Sequence, residues 1–147
     1  MRFLLAVPAL LALLTLFACS EEADEAQVDI VIKEWSIEPD VDEVAGGDVR
    51  FDLKNEGPDQ DHEMLIIRTD FDPGDLPVED DGSVDESAAG VNVIGSISDF
   101  EPDQRSSGTF TLTPGPYVLI CNLVSDVDGE ETSHYQKGMR VALTATD

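Results

Sequence analysis

Short segments in which apolar and polar residues alternate recur along this chain, and each is closed by a cluster of Gly, Pro, Asn or Asp. The clearest runs from Val49 to Asn55, where Val49, Phe51 and Leu53 would share one face of a strand. Other segments with strand-like patterns are 28–35, 64–69, 91–97, 107–112, 117–121 and 139–144. No stretch carries a helical period of useful length. Short strands separated by Gly and Pro turns are typical of a Greek-key β-sandwich, so the sequence predicts an all-β fold of about seven to eight strands.

A long acidic segment from Asp70 to about Ala89 interrupts this pattern between two predicted strands, and it contains Pro73, Gly74 and Pro77. Loops of this length without regular structure are uncommon in compact domains. The sequence therefore predicts an inserted loop here.

The N-terminus is almost wholly apolar from Phe3 to Phe17, after a single positive charge at Arg2. The run is short for a membrane span and is typical of the hydrophobic region of a signal peptide. It ends in Leu-Phe-Ala before Cys19, which resembles a bacterial lipoprotein signal, where the cysteine is lipidated after cleavage. In the alternative interpretation the chain is secreted and Cys19 is removed. Both interpretations place the mature protein outside the cytoplasm.

The domain organisation follows from that N-terminus. We expect a lipoprotein signal peptide at 1–18, a lipidated Cys19 with an acidic tether at 19–27, and one folded domain at 28–147. Several acyl chains anchor such a protein firmly to a membrane. The predicted location is extracytoplasmic and lipid-anchored, on the periplasmic or outer face of the cell membrane.

Acidic residues dominate the charge: 32 Asp and Glu against 8 Lys and Arg give a net charge of −24. Such a surface repels phosphates, which excludes nucleic-acid binding and polybasic attachment to anionic lipid. The acids are spread along the whole chain, which resembles proteins of halophilic organisms, whose carboxylates keep them soluble in salt. The alternative interpretation is that some of the acids form a docking face for a basic partner.

The residues able to ligate a soft metal are scarce, and their order along the chain indicates a kind of site. Beyond Cys19 the chain has one cysteine, and it has two histidines and two methionines after the initiator. His62 enters a predicted core strand and Cys121 ends another. His134 follows, and Met139 starts the last predicted strand. A thiolate, two imidazoles and a weak thioether are the ligand set of a blue-copper electron-transfer site. Metal ligation would also explain a lone cysteine in an oxidising compartment.

At these residues the sequence resembles the cupredoxins, over roughly residues 28–145. The motifs are Asp-His-Glu around His62, Pro-Gly-Pro-Tyr leading into the strand that ends at Cys121, and His-Tyr-Gln-Lys-Gly-Met from His134 to Met139. The resemblance implies one type 1 copper ion. It also implies that His62, Cys121 and His134 are the three strong ligands and Met139 the weak axial one.

The resemblance further implies a function, in which the protein carries single electrons between redox partner proteins as a monomer. It would not be an enzyme, because no substrate is turned over. In family members the second histidine often lies near the surface and serves as the electron port. The alternatives are a copper carrier that delivers the metal to an oxidase, and an interaction module that has kept the sandwich without the metal.

One departure from the family concerns the segment between Cys121 and His134, which has twelve residues where small cupredoxins have about four or fewer. It is acidic, and we expect it to lie beside the metal and to affect solvent access, reduction potential or partner docking. Its Asp126–Gly129 part also resembles a calcium loop, although the rest of the segment lacks the EF-hand spacing.

The sequence also carries expectations for three further residues. Met64 would share a strand face with His62, as a core residue or as a rival axial ligand. Asn122 is expected to hydrogen-bond backbone close to the site. Trp35, the only tryptophan, is expected to pack in the core.

Overall fold

The structure, a computed structural model, describes residues 25–147 apart from the side chain of Asp99. The predicted signal peptide at 1–18 and the predicted lipidation site Cys19 lie outside the described residues. The elements of the described part are β1 (Ala26–Lys33), β2 (Ser36–Pro39), β3 (Glu43–Ala45), β4 (Gly47–Asn55), β5 (His62–Arg68), β6 (Asn92–Phe100), β7 (Arg105–Leu112), β8 (Gly115–Ile120), β9 (Val124–Val127), β10 (Glu130–Ser133), α1 (His134–Lys137) and β11 (Arg140–Thr146). None of its helices is long and apolar enough to cross a membrane.

Two sheets enclose the main core. One has the strand order β2-β1-β4-β7 and the other β3-β11-β8-β5-β6, while β9 and β10 form a separate hairpin. The pairs β1·β4 and β3·β11 are parallel, and the other pairs are antiparallel. Side chains from both sheets form one buried cluster, including the predicted row Val49, Phe51 and Leu53 on β4. The predicted all-β sandwich is confirmed.

All seven predicted strands are present, and the structure adds four that the sequence did not indicate. β2 and β3 have only 4 and 3 residues, too few for alternation to be recognised. β9 and β10 fold the segment between Cys121 and His134 into a hairpin. β1 also begins at Ala26, within the predicted tether, because Ala26 already pairs with Val49 of β4.

The strands β5 and β8 are buried on both faces, which explains their almost continuous apolar sequences. Met64 and Ile66 of β5 point into the main core between the sheets. Leu65 and Ile67 point the other way, into a second cluster that includes Leu76. Leu76 belongs to residues 69–91, the long loop between β5 and β6, so this loop covers the outer face of the sheet.

Strand direction brings three of the four predicted ligands to one end of the five-stranded sheet. β5 begins at His62, Cys121 directly follows the end of β8, and Met139 directly precedes β11. β8 runs antiparallel to both β5 and β11, so its last residues lie beside the first residues of its neighbours. The start of β5, the end of β8 and the start of β11 therefore meet at the same end of the sheet.

Candidate metal centre

Three potential metal-binding atoms converge at this end of the sandwich. His62 Nδ1 and His134 Nδ1 are 3.3 Å apart, and Cys121 Sγ lies 3.9 Å from the first and 3.4 Å from the second. A point equidistant from three atoms at these separations lies about 2.1 Å from each, and bonds from a first-row metal ion to imidazole nitrogen or thiolate sulfur are about 2.0–2.3 Å long. The three atoms are therefore spaced as ligands of a single ion.

A local irregularity in β5 lies at His62 and beside Cys121. The pairing of β5 with β6 shifts between His62 and Met64, and such bulges re-aim side chains. Within this irregular stretch the backbone N–H of Glu63 donates to Cys121 Sγ at 3.5 Å. A hydrogen bond to a ligating sulfur stabilises its negative charge and tunes the metal's potential.

The helix α1 presents His134 and returns the chain to the site. Ser133 caps the helix, accepting the N–H of Gln136 with its hydroxyl at 3.2 Å. The helix ends at Lys137 and is capped by Gly138, whose φ of 124° is one that side-chain-bearing residues rarely adopt. The reversal lets the Met139 N–H donate to the carbonyl of His134 at 3.1 Å.

Met139 is tied by its backbone to Cys121 as well, because its carbonyl accepts the Cys121 N–H at 3.1 Å. Its side chain is fully buried in the main core, as is that of Met64. The backbone of Met139 is therefore held next to two of the proposed ligands, and its role as the axial ligand remains a prediction.

The outer nitrogen of His134 has a defined partner. Its Nε2 lies 2.7 Å from Ser125 Oγ, and the Ser125 hydroxyl donates to Gln60 Oε1 at 3.1 Å. Because an amide oxygen only accepts, the Ser125 hydroxyl donates its hydrogen to Gln60. It therefore accepts the Nε2–H of His134. This tautomer leaves a lone pair on His134 Nδ1, directed at the site.

The outer nitrogen of His62 faces a carboxylate. His62 Nε2 lies 3.8 Å from Glu34 Oε1, and the side chain of Glu34 is only 12% exposed. A carboxylate also only accepts, so the arrangement favours a proton on His62 Nε2 and a lone pair on its Nδ1. Both histidines thus direct lone pairs at the same point as the sulfur of Cys121.

Burial keeps both imidazoles neutral. It lowers the pKa of His62 below its usual value, against the opposing effect of the nearby Glu34. Burial and the neighbouring His62 lower the pKa of His134 to about 4. Neutral imidazole is the form that binds metal. Two lone pairs 3.3 Å apart beside a sulfur repel one another unless a cation lies between them.

The donor set fits copper better than zinc. Structural zinc sites have four strong ligands, whereas copper of the blue type takes two imidazoles and a thiolate with only a weak fourth contact. Within residues 25–147, His62, Cys121 and His134 are the only group of three or more His, Cys, Asp or Glu side chains spaced to hold an ion. The residues at the site therefore fit one type 1 copper ion.

The site is more enclosed than the sequence led us to expect. His134 is 0% exposed, although the resemblance implied a second histidine close to the surface. The hairpin of β9 and β10 supplies Ser125 to one edge of its ring. Trp35, expected in the core, is only partly buried and packs edge-on against the same ring, with 4.9 Å between ring centroids.

The segment that resembled a calcium loop is the turn of this hairpin. Asp128 and Gly129 have φ values of 57° and 84°, the left-handed pair that a two-residue hairpin turn requires. The Asp126 carboxylate accepts the N–H of Gly129 at 2.9 Å, so it serves the turn. The acidic segment thus acts as a cover for His134.

Asn122 bonds backbone, as expected, but in the 69–91 loop. Its side chain accepts the N–H of Val84 at 2.6 Å and donates to the Val84 carbonyl at 3.2 Å. It therefore fixes the loop that shields the second core. Sequence reasoning missed Glu34, Gln60 and Ser125, because nothing in their local patterns indicates contact with a histidine.

No protein-family model matches this chain. No curated protein matches it either.

Solved structures of auracyanins do match. The dithionite-reduced auracyanin of Roseiflexus castenholzii is 20% identical, with a TM-score of 0.59, over 84% of this chain and 98% of its own. Auracyanin B is 19% identical, with a TM-score of 0.56, over 83% and 89%. Auracyanin A of Chloroflexus aurantiacus, described as a "blue" copper protein, is 20% identical, with a TM-score of 0.55, over 83% and 99%. The chain therefore has the cupredoxin fold that the sequence predicted.

Proposed function

We propose that this protein is a type 1 copper protein that carries single electrons between redox partners. The observation that carries the proposal is the buried convergence of His62 Nδ1, Cys121 Sγ and His134 Nδ1. Copper, when bound, would supply a one-electron couple. The description of auracyanin A as a "blue" copper protein supports the same use of the fold here.

The surroundings of the ligands suit electron transfer. A site that changes little between oxidation states needs ligands held by a rigid frame. Here His62 and Cys121 lie at the ends of two adjacent strands of one sheet, and the helix α1 holds His134. His62, Cys121 and His134 are all 0% exposed, which keeps water from the site. Partly exposed Trp35, in contact with the His134 ring, offers an aromatic route towards the surface.

The same enclosure argues against the role of a copper carrier. A carrier must release its metal to an acceptor, whereas the β9–β10 hairpin covers His134 and is bonded to it. The interaction-module alternative leaves the facing lone pairs of His62 and His134 without a purpose. An extracytoplasmic, lipid-anchored location remains part of the proposal and is supported by the N-terminal sequence. Redox partners in the envelope are part of the same proposal.

The first experiment is a visible spectrum of residues 20–147 after addition of Cu(II). We expect an intense band near ~600 nm from charge transfer between the Cys121 thiolate and the metal. The matched control is Cys121→Ser, which keeps the size of the side chain and removes the thiolate. The band should be absent from this variant.

Other outcomes would overturn the proposal in distinct ways. A colourless protein without bound metal favours the interaction module. A colourless protein that holds one Cu(I) and passes it to a metal-free acceptor favours the copper carrier. Slow electron exchange with small redox reagents, despite a blue site, would contradict the electron-transfer role.

A further inference from the structure

Two buried side-chain polar atoms lack hydrogen-bond partners within the described residues, and they belong to adjacent groups: Glu34 Oε2 and His62 Nε2. Glu34 Oε1 lies 3.8 Å from the same His62 Nε2. Unpartnered buried polar atoms are rare in folded proteins, and each calls for a physical reason. One of the two groups is the outer nitrogen of a proposed copper ligand. Their proximity indicates that the carboxylate and the imidazole are partners.

The Glu34 carboxylate is held in place by the segment that leads into β5. Its Oε1 accepts the backbone N–H of Gln60 at 2.7 Å and that of Asp59 at 3.2 Å. A Cβ atom on Gly57 would come within 2.6 Å of both carboxylate oxygens. The absence of a side chain at position 57 therefore makes room for this carboxylate.

We propose that Glu34 is a positioning residue for His62. Its carboxylate is the acceptor for the Nε2–H of His62, which keeps the lone pair on Nδ1 and fixes the direction of the ring. Hydrogen bonds at sites awaiting a ligand are often long and shorten when the ligand binds. A carboxylate behind a ligating histidine also raises the basicity of the imidazole, and its negative charge favours the more positive state of a bound metal.

Gln60 joins this arrangement to the other histidine. Its backbone N–H bonds Glu34, and its side-chain oxygen accepts the hydroxyl of Ser125, the partner of His134 Nε2. One residue therefore anchors the outer partners of both imidazoles. The position of the 57–60 segment sets the orientation of the two rings together.

The first test needs no metal. Long-range ¹H–¹⁵N correlation spectra of the metal-free, ¹⁵N-labelled protein near pH 8 report which nitrogen of His62 carries the proton. We expect a single Nε2–H tautomer. Glu34→Gln places an amide N–H₂ where an oxygen stood, and Gly57→Ala displaces the unchanged carboxylate. Both variants should show an Nδ1–H population that the native protein lacks.

The matched control is Glu38→Gln, which removes a carboxylate from an exposed ion pair with Lys33. It should leave the His62 tautomer as it is in the native protein. Gly57→Ala keeps the test decisive if Glu34→Gln does not fold, because it leaves Glu34 itself intact.

The second test rests on the proposed function and measures the reduction potential of the copper-loaded protein. Glu34→Gln should raise the ratio of Cu(I) to Cu(II) at a fixed poise about tenfold, which corresponds to about 59 mV for a one-electron couple. Gly57→Ala should change the potential in the same direction. Glu38→Gln should leave it near the native value, because an exposed charge is screened.

The outcomes separate this inference from the proposed function. An Nδ1–H tautomer of His62 in the native metal-free protein overturns the inference, as does an unchanged tautomer in both Glu34→Gln and Gly57→Ala. A native protein with the Nε2–H tautomer that binds no copper overturns the proposed function and leaves the positioning role of Glu34 intact. A native protein that is blue, but whose reduction potential and His62 tautomer do not change when Glu34 is replaced, supports the proposed function and overturns the positioning role of Glu34.

Discussion

Ser125 Oγ lies 2.7 Å from His134 Nε2, so a residue of the inserted hairpin is bonded directly to a proposed copper ligand. The N–H of His134 also donates to the carbonyl of Leu123, at the base of the same hairpin, at 2.9 Å. The ring and backbone of His134 are thus both fixed by the segment that small cupredoxins have only in shortened form. The hairpin therefore fixes the position of a proposed copper ligand.

Ser125→Ala should destabilise the metal-free protein. The change leaves the Nε2–H of His134 buried without an acceptor, which costs about 1–3 kcal/mol. Urea unfolding near pH 8, followed by tryptophan fluorescence, measures the free energy of unfolding. The control is Ser87→Ala, whose hydroxyl bonds Asp85 on the surface, and it should change stability by less than about 0.5 kcal/mol. Equal effects of the two substitutions would contradict the proposed bond.

Acid should destabilise the metal-free protein through its histidines. Burial lowers the pKa of His62, and the pKa of His134 is about 4 in the folded state, against about 6.5 in the unfolded chain. The unfolded chain binds protons first, so stability is complete above about pH 6.5 and falls as the pH approaches 4. His134 alone accounts for a loss on the order of 3 kcal/mol.

The measurement is urea unfolding from pH 8 to pH 4 in 1 M NaCl, where screening suppresses changes in general charge repulsion. His134→Gln removes the more strongly shifted group, so its curve of stability against pH should be flatter. A native curve that is flat between pH 6.5 and pH 4, or a variant as steep as the native protein, would contradict the prediction.

Replacing the proposed axial ligand should change the potential but not the fold. Met139→Leu keeps the volume of a buried side chain, so it should cost less than about 1.5 kcal/mol. It removes a weak sulfur donor, which should raise the reduction potential of the copper-loaded protein while the blue band persists. Voltammetry and the visible spectrum measure both effects.

Met64→Leu is the matched control, because it makes the same chemical change in another fully buried methionine of the main core. It should leave the potential near the native value. A shift in potential for Met64→Leu without one for Met139→Leu would assign the axial position to Met64 instead.

Salt should stabilise this protein. A net charge of −24 at pH 7 produces repulsion within the folded domain. Raising the NaCl concentration from 0.1 to 1 M shortens the screening length from about 10 Å to about 3 Å. We expect an increase in Tm of several degrees, measured by circular dichroism. The increase should shrink as the pH is lowered towards the isoelectric point near 4.1, and a salt effect independent of pH would contradict this explanation.

The sequence predicted the strands and the ligand order because these depend on local pattern and on scarce residue types. His62, Cys121 and Met139 stand beside strands that the sequence shows as runs of apolar residues. The hairpin was missed although Asp128-Gly129 is a strong hairpin signal, because its short strands are polar and exposed and show no alternation.

The contacts around the imidazoles were beyond prediction for a different reason. Glu34 meets His62 only because the chain between β1 and β2 passes over the start of β5. Gln60 and Ser125 meet only when a turn and the inserted hairpin fold against one another. Such contacts join segments distant in sequence, and the local sequence around a polar loop residue does not indicate which residue it will contact.

The 69–91 loop and the β9–β10 hairpin are joined where Ser133 Oγ donates to the carbonyl of Gly82 at 2.7 Å. The same Ser133 caps α1, and Tyr135 of that helix donates its hydroxyl to the carbonyl of Pro73 in the loop at 2.8 Å. Neither the loop nor the hairpin can be shortened alone, because removing one leaves a hydroxyl or carbonyl group of the other without its hydrogen-bond partner. The two extensions of the sandwich therefore constitute a single unit, and transplanting the copper-binding end onto another scaffold would require both.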